Sequence, residues 1–545
     1  MTYDEISKNI SQGSFELVNL CLHLACFNEN KEVVQFLLKS GADIKSMHNG
    51  QTLLHTAVQS KNVNILDIVL RAGANIDAQG QFSQTKSRNY HNTMDGTALH
   101  LAALLGYKDM VEHLLQCGAY VNASNTIGNC PIHCAAEREH QPVIHILLKN
   151  GAGIEARNIF GYTPLHHAVA SGSKSNFAIF LIGLGANKSS VNLRGETLFH
   201  TAVLNVNRDV ASWLVASGVS LSVKTFSNRT AVEIAWSMFR HESVKLLLDL
   251  GLSPHVELFL GSPLLYSALG TPGRSEVLEH IFKLYPEMIN TFSYTDNKTI
   301  LHTAVEIGEP NVIQLVLKHS PDVEAQDMFG DRALHFAAKK GNHEKISLLL
   351  DAGADIDAPG ANGCTALFQS ATLGRSHILK SLISKGANLD AQCSDSKSPL
   401  MEATHLGHVN IIKALLNAGA NVNARGPDQI TVLHIAVAMD IPDLVRLLLR
   451  YGANMSSVGW MENALVTPFQ AACSKSALQS VTELVKLGAI PDVEKSLNSD
   501  LKSAVEEGLR LREAMRGKYE YQLNKPILSS LFCLIFQPCL TCLSG

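Results

Sequence analysis

The chain has 545 residues and a formal net charge of −4, with 45 Lys and Arg against 49 Asp and Glu, and nothing in that balance suggests a basic nucleic-acid-binding face. Its eleven cysteines form no paired framework, and the start, Met1-Thr2-Tyr3-Asp4-Glu5, has neither a basic segment nor an apolar core. A signal peptide and a disulfide scaffold are therefore not expected, and free thiols in a reducing cytosol are.

Residues 1–13 read as a short polar lead. Then comes Leu22-His23-Leu24-Ala25, an apolar run, and Ser40-Gly41-Ala42. The same sentence begins again and again, and such self-similarity decides the fold before any single motif does. The histidine of the Leu-His pair serves as a ruler. It falls at His23, His55, His100, His133, His166, His200, His302, His335 and His434, and Glu233, Leu265, Phe368, Met401 and Gln470 fill the same slot. Most steps are 33 residues, with longer ones of 45 from His55 to His100, 37 from Leu265 to His302 and 36 from His434 to Gln470. About fourteen copies follow, over residues 14–493.

Each copy predicts two short helices. Thr or Ser before the first can accept a free N–H of its first turn. Pro fits the next position, where its missing N–H costs nothing. Thr163-Pro164, Ser262-Pro263, Ser398-Pro399 and Thr467-Pro468 obey this pattern, whereas Cys130-Pro131 keeps the Pro behind a poor cap. Ala-Ala on the first helix permits close approach of a neighbour. Leu and Val at spacings of three and four give the second helix one apolar stripe. Gly then ends that helix in a left-handed conformation, in twelve copies from Gly41 to Gly488. No copy buries its stripe alone, so neighbours must stack.

Thr163-Pro164-Leu165-His166-His167-Ala168 and Leu415-Leu416-Asn417-Ala418-Gly419-Ala420 resemble the start and the end of an ankyrin repeat. The resemblance implies an all-α solenoid of stacked helix-turn-helix units with short β-hairpin-like fingers. It also implies that the slot histidine hydrogen-bonds backbone and braces the turn. Repeats one to seven are expected over 14–256 and eight to fourteen over 257–493, with eight and nine irregular. There the closing Gly is missing, and Tyr285-Pro286 and Ser320-Pro321 stand near its place.

An insertion at 80–95 reads as a solvated loop or a projecting binding finger, with Arg88 and Tyr90 as a candidate interface pair. A helix is predicted over 497–517, within a capping segment 494–524, with Leu501, Val505 and Leu509 on one face. The uncharged stretch 527–543, inside an apolar tail 525–545, is too short and too interrupted by Pro538 for an ordinary membrane span. Cys533, Cys539 and Cys542 are candidate lipidation sites there.

No phosphate-binding loop, His-Glu-x-x-His helix or nucleophile elbow is present, so catalysis is not expected. Nor is a cofactor or metal, because the slot histidines sit in separate units and cannot converge on one ion. What remains is surface. Fingers of such stacks are usually polar, yet Ile159, Phe160, Phe226, Met328, Phe329 and Trp460 fall on them. They are candidate partner-binding residues, with Lys339 and Lys340 adding positive charge beside Met328-Phe329. The expected function is protein–protein recognition, as a monomeric cytoplasmic scaffold or adaptor. The alternatives are a substrate receptor of a ubiquitin ligase and an ankyrin protein attached to a membrane by its tail.

Overall fold

The computed structural model describes residues 15–83, 93–258, 263–270, 274–293, 296–461, 464–489 and 498–523. The chain is an all-α ankyrin solenoid. Fourteen helix pairs stand in order among the described residues, from Phe15–Phe27 with Lys31–Lys39 to Pro468–Ser474 with Leu478–Lys486. They divide into two compact units, Met1–Leu265 and Tyr266–Gly545, and the division falls inside the short helix Leu264–Leu269.

Within each unit the first helices pack side by side, and small residues set their approach. Ala102, Ala103, Ala135 and Ala136 are fully buried in the first unit, as are Ala337 and Ala338 in the second. The second helices bury one stripe, such as Ile65, Leu66 and Val69 or Ile378, Leu379 and Leu382, and leave the rest half-buried or exposed. The twelve closing glycines, Gly41 to Gly488, all have positive φ, between +85° and +117°. The two copies without one differ. In the ninth, Ser320 takes the left-handed conformation itself at φ +52°. In the eighth, a 3-10 turn Pro286–Asn290 follows the helix instead.

Helix starts are closed as the side chains dictate. Thr230 N–H donates to Glu233 Oε2 at 2.6 Å while Glu233 N–H donates back to Thr230 Oγ1 at 3.4 Å. Gln470 does the same for Thr467. These residues replace the slot histidine because a carboxylate or amide oxygen accepts the same N–H. At Cys130, where the sequence places a poor cap, the His133 ring accepts the Cys130 N–H at 3.0 Å.

The free carbonyls at the ends of the first helices find partners one repeat further on. His140 Nε2 reaches Leu104 O at 3.0 Å and Asn207 Nδ2 reaches Val169 O at 3.0 Å. Arg240 reaches Leu204 O at 2.6 Å. In the second unit Lys345 Nζ donates to Val305 O at 2.7 Å and His408 Nε2 reaches Thr372 O at 3.1 Å. Residues of different chemistry make one repeated clamp.

The described ends of the insertion, Gly80–Ser83 and Thr93–Gly96, pair as an antiparallel hairpin. Phe82 is buried and stacks on the His55 ring at 5.7 Å between centroids. The last finger is also a hairpin, Gly459–Met461 against Ala464–Val466.

The final helix, Ser499–Leu523, lies on Leu478–Lys486. Leu501, Ala504 and Val505 are buried, but Leu509 is exposed, unlike the expectation for that face. Gly508 makes the approach in its place. A Cβ there would stand 2.8 Å from Thr482 O and 2.8 Å from Val485 Cβ.

Candidate partner-binding surface

Four fingers share one construction, built from the inside out. A buried polar residue at the base of each accepts backbone N–H groups of the tip with one side-chain oxygen, an Asx-type turn. Asn125 Oδ1 accepts from Ile127 and Asn129, Asn158 Oδ1 from Phe160 and Tyr162, and Asn192 Oδ1 from Arg194 and Glu196. Asp327 Oδ1 accepts from Phe329 and Asp331 in the second unit. With the base side chain committed inward, the two residues that follow it point away from the stack.

Those two positions are tied to the next finger. In three successive tips the first residue donates its N–H to the second residue of the preceding one. Ile159 donates to Ile127 O at 3.1 Å, Leu193 to Phe160 O at 3.1 Å and Phe226 to Arg194 O at 3.3 Å. The tips are thus fixed relative to one another before any partner arrives.

The structure places Ile159, Phe160 and Phe226 on this row, all exposed, Phe226 at 75%. Two members were missed from sequence. Leu193, 67% exposed, and Ile127, 37% exposed, complete an apolar ridge of Ile127, Ile159, Phe160, Leu193 and Phe226 within the first unit. A signal existed: aligned on the turn glycines, Leu193 before Arg194-Gly195 occupies the slot of Ile159 before Phe160-Gly161. Aliphatic residues stand out less than aromatic ones in a turn, and the alignment was needed to see them.

The other candidates are dispersed. Met328 and Phe329 are exposed on a tip of the second unit, with Met328 N–H donating to Asp296 O. Lys339 and Lys340, nearby on the helix Ala333–Lys340, do not present unencumbered charge. Lys339 Nζ is paired with the buried Asp331 carboxylate and lies 5.6 Å from the Phe336 ring centroid. Lys340 Nζ stands 3.8 Å from Glu306. Trp460 is exposed on the last hairpin, across from the exposed Leu465. Arg88, Tyr90, Cys533, Cys539 and Cys542 lie outside the described residues, as does 525–545. Among the described residues no helix is long and apolar enough to cross a membrane.

The slot histidines bond within the stack, although Nε2 of His166 and of His200 is buried with no hydrogen-bond partner among the described residues. His133 Nδ1 accepts the Cys130 N–H and Nε2 reaches Tyr162 O at 3.2 Å, which leaves neither nitrogen for a metal ion. His55, His302 and His434 make the corresponding bonds to Gly96, Asp331 and Val466 carbonyls. Burial pushes the imidazolium pKa of His55, His133 and His166 down to about 4. They are neutral braces at neutral pH.

The family model for ankyrin repeats (three copies) matches residues 9–80, 99–190, 165–257, 265–360 and 357–426, and that for the single ankyrin repeat matches 428–460. The chain belongs to the ankyrin-repeat family. Repeats of this family generally mediate protein–protein interaction, and the family is typically not catalytic. An ankyrin repeat protein of Rickettsia bellii (strain RML369-C) is 27% identical over 143 residues, which are 26% of this chain. The match spans only 19% of that relative's length. The crystal structure of the ankyrin repeat domain of Bcl-3, described as a unique member of the IkappaB protein family, is 26% identical. It covers 43% of this chain and 98% of its own, with a TM-score of 0.38.

Proposed function

We propose that this protein is a cytoplasmic scaffold or adaptor that recognises partner proteins with the finger tips of its ankyrin repeats. One observation carries the reading: the row Ile127, Ile159, Phe160, Leu193 and Phe226 is exposed and apolar, whereas Ala361-Asn362, Ser394-Asp395 and Pro427-Asp428 fill the same two slots of the second unit with small or polar residues. Exposed apolar side chains gathered along one edge mark an interaction site more often than single ones do. The tips are held by buried Asn side chains, or by Thr225 under Phe226, and by finger-to-finger hydrogen bonds, so binding orders little backbone. Met328 with Phe329 and Trp460 with Leu465 are smaller contact points in the second unit under the same reading.

The test is proximity labelling in cells, comparing the native chain with one carrying Phe160→Ser, Leu193→Ser and Phe226→Ser at equal abundance. Loss of a defined set of neighbours from the variant is the expected result. Identical neighbour sets overturn the role of this row.

A further inference from the structure

We infer that the ridge of the first unit receives one acidic amphipathic α-helix of a partner protein, with one apolar residue per finger. This rests on the protein-recognition reading above and adds the kind of partner.

Spacing is compatible with a helix. Neighbouring first helices pack about 8–10 Å apart, and their fingers repeat at that interval. A helix rises about 1.5 Å per residue, so seven residues advance about 10.5 Å and return to the same face within about 20°. An extended peptide covers a similar distance in about three residues, at roughly 3.3 Å each. An odd step, however, turns the side chain to the opposite face. A polyproline II segment, with three residues per turn and about 3.1 Å per residue, also returns to one face at this interval, so the spacing of apolar residues in a bound peptide, seven or three, separates the two. Four fingers leave three intervals, or about 22 residues of helix.

Charge argues for acidic flanks. The four finger segments 125–130, 158–163, 192–197 and 225–230 contain a single carboxylate, Glu196. It is 6% exposed and accepts from Asn192 Nδ2 at 2.6 Å and from the Tyr162 hydroxyl at 3.4 Å. Basic side chains border the same row. Arg194, beside Leu193, Lys224, two residues before Phe226, and Arg157 are exposed, and Arg229 is half-buried; Arg157 Nη1 donates to the Val191 and Gly161 carbonyls. Asp or Glu residues on either side of an apolar stripe complement them. Such rim pairs are each worth about 0–1 kcal/mol, but they set orientation and encounter rate. The second unit would not accept this helix at the corresponding slots, because Asp395 and Asp428 stand there, exposed.

The experiment is selection of displayed 24-residue random peptides on the full chain, with counter-selection on the Phe160→Ser, Leu193→Ser, Phe226→Ser variant. The expected consensus is net acidic with apolar residues seven apart. Its best peptide should bind the native chain at least about ten-fold tighter than the variant. Its binding should weaken as salt is raised. A second variant, Arg194→Glu with Lys224→Glu, leaves the apolar tips in place and should reverse the charge preference. No enrichment, basic consensus peptides, apolar residues three apart instead of seven, or an unaltered preference in the charge variant would each overturn the inference. If that happens while the triple variant still loses its cellular neighbours, the ridge binds proteins of another kind and only the helix is wrong. If the neighbours are also unchanged, both readings fall.

Discussion

His100 Nε2 stands 2.8 Å from the carbonyl oxygen of Asn129, one repeat further along the chain. The other ring nitrogen accepts the Thr97 N–H at 3.1 Å. One buried side chain therefore closes its own helix start and ties it to the next finger. That double duty is the reason the residue recurs in the same slot.

Replacing His100 with Ala leaves the Asn129 carbonyl and the Thr97 N–H without their partner in a buried place. A buried polar group left unpaired costs about 1–3 kcal/mol. Urea unfolding of His100→Ala should show a loss of that size. His100→Gln, which keeps an acceptor for Thr97 as Gln470 does for Thr467, should lose less. Equal losses would mean that packing, not hydrogen bonding, is what the ring supplies.

Acid should loosen the stack. His55, His133 and His166 have folded-state pKa values pushed down to about 4 by burial. Their unfolded value is about 6.5. Folding thus favours the neutral ring. The stabilisation is complete above pH 6.5 and is lost as pH falls from there through 4. At pH 5 each contributes a loss on the order of 2 kcal/mol relative to pH 7.5. The urea midpoint should fall steeply between pH 6.5 and 4, and less so in a variant with all three replaced by Gln. A flat profile would contradict the buried neutral state.

Ser320 holds the left-handed conformation that Gly holds in twelve other repeats. Ser320→Gly should stabilise the second unit by roughly 0.5–1 kcal/mol, since a non-Gly residue there is strained by about 1–2 kcal/mol and Gly returns part of that as entropy. Gly353→Ala, at φ +94°, should destabilise it by a similar or larger amount. Thermal melts of the two variants moving in the same direction would refute this account.

Gly508→Leu should detach the final helix, because its backbone passes too close to Thr482 and Val485 for a side chain. Limited proteolysis should then cut within Ser499–Leu523 while the repeats resist. Persistence of the helix on its neighbour would show that the contact at Gly508 is adjustable.

Met328→Ser with Phe329→Ser should leave the melting temperature nearly unchanged, since both side chains are exposed and such substitutions usually stay within about 0.5 kcal/mol. Any partner that uses this tip should bind less well. A sharp drop in melting temperature would place these residues in the core instead.

Much of the fold was legible in single positions. Thr163-Pro164 announces a helix start, and the closing glycines announce left-handed ends, because these residues act through their own backbone. Glu233 and Gln470 were recognisable as occupants of the histidine slot, and their capping chemistry explains why they serve. Less legible was anything whose partner lies elsewhere in the stack. Phe82 sits in an insertion that reads as polar loop, and only its pairing beside His55 makes it core. Lys339 reads as surface charge until Asp331 is found beside it. Leu509 reads as the buried face of the last helix until Gly508 is seen to make the approach.

The sequence by itself determined the repeat, its helices, their caps and the apolar character of several tips, because all of these follow from residues within one 33-residue period. Tertiary structure decided how the periods are joined. His140, Asn207, Arg240, Lys345 and His408 share no chemistry that marks them as one clamp, yet each reaches a carbonyl one repeat back. It also decided that Ile127, Ile159, Phe160, Leu193 and Phe226 form one ridge. Residues some thirty positions apart become neighbours only when stacking brings their fingers into hydrogen-bonded register.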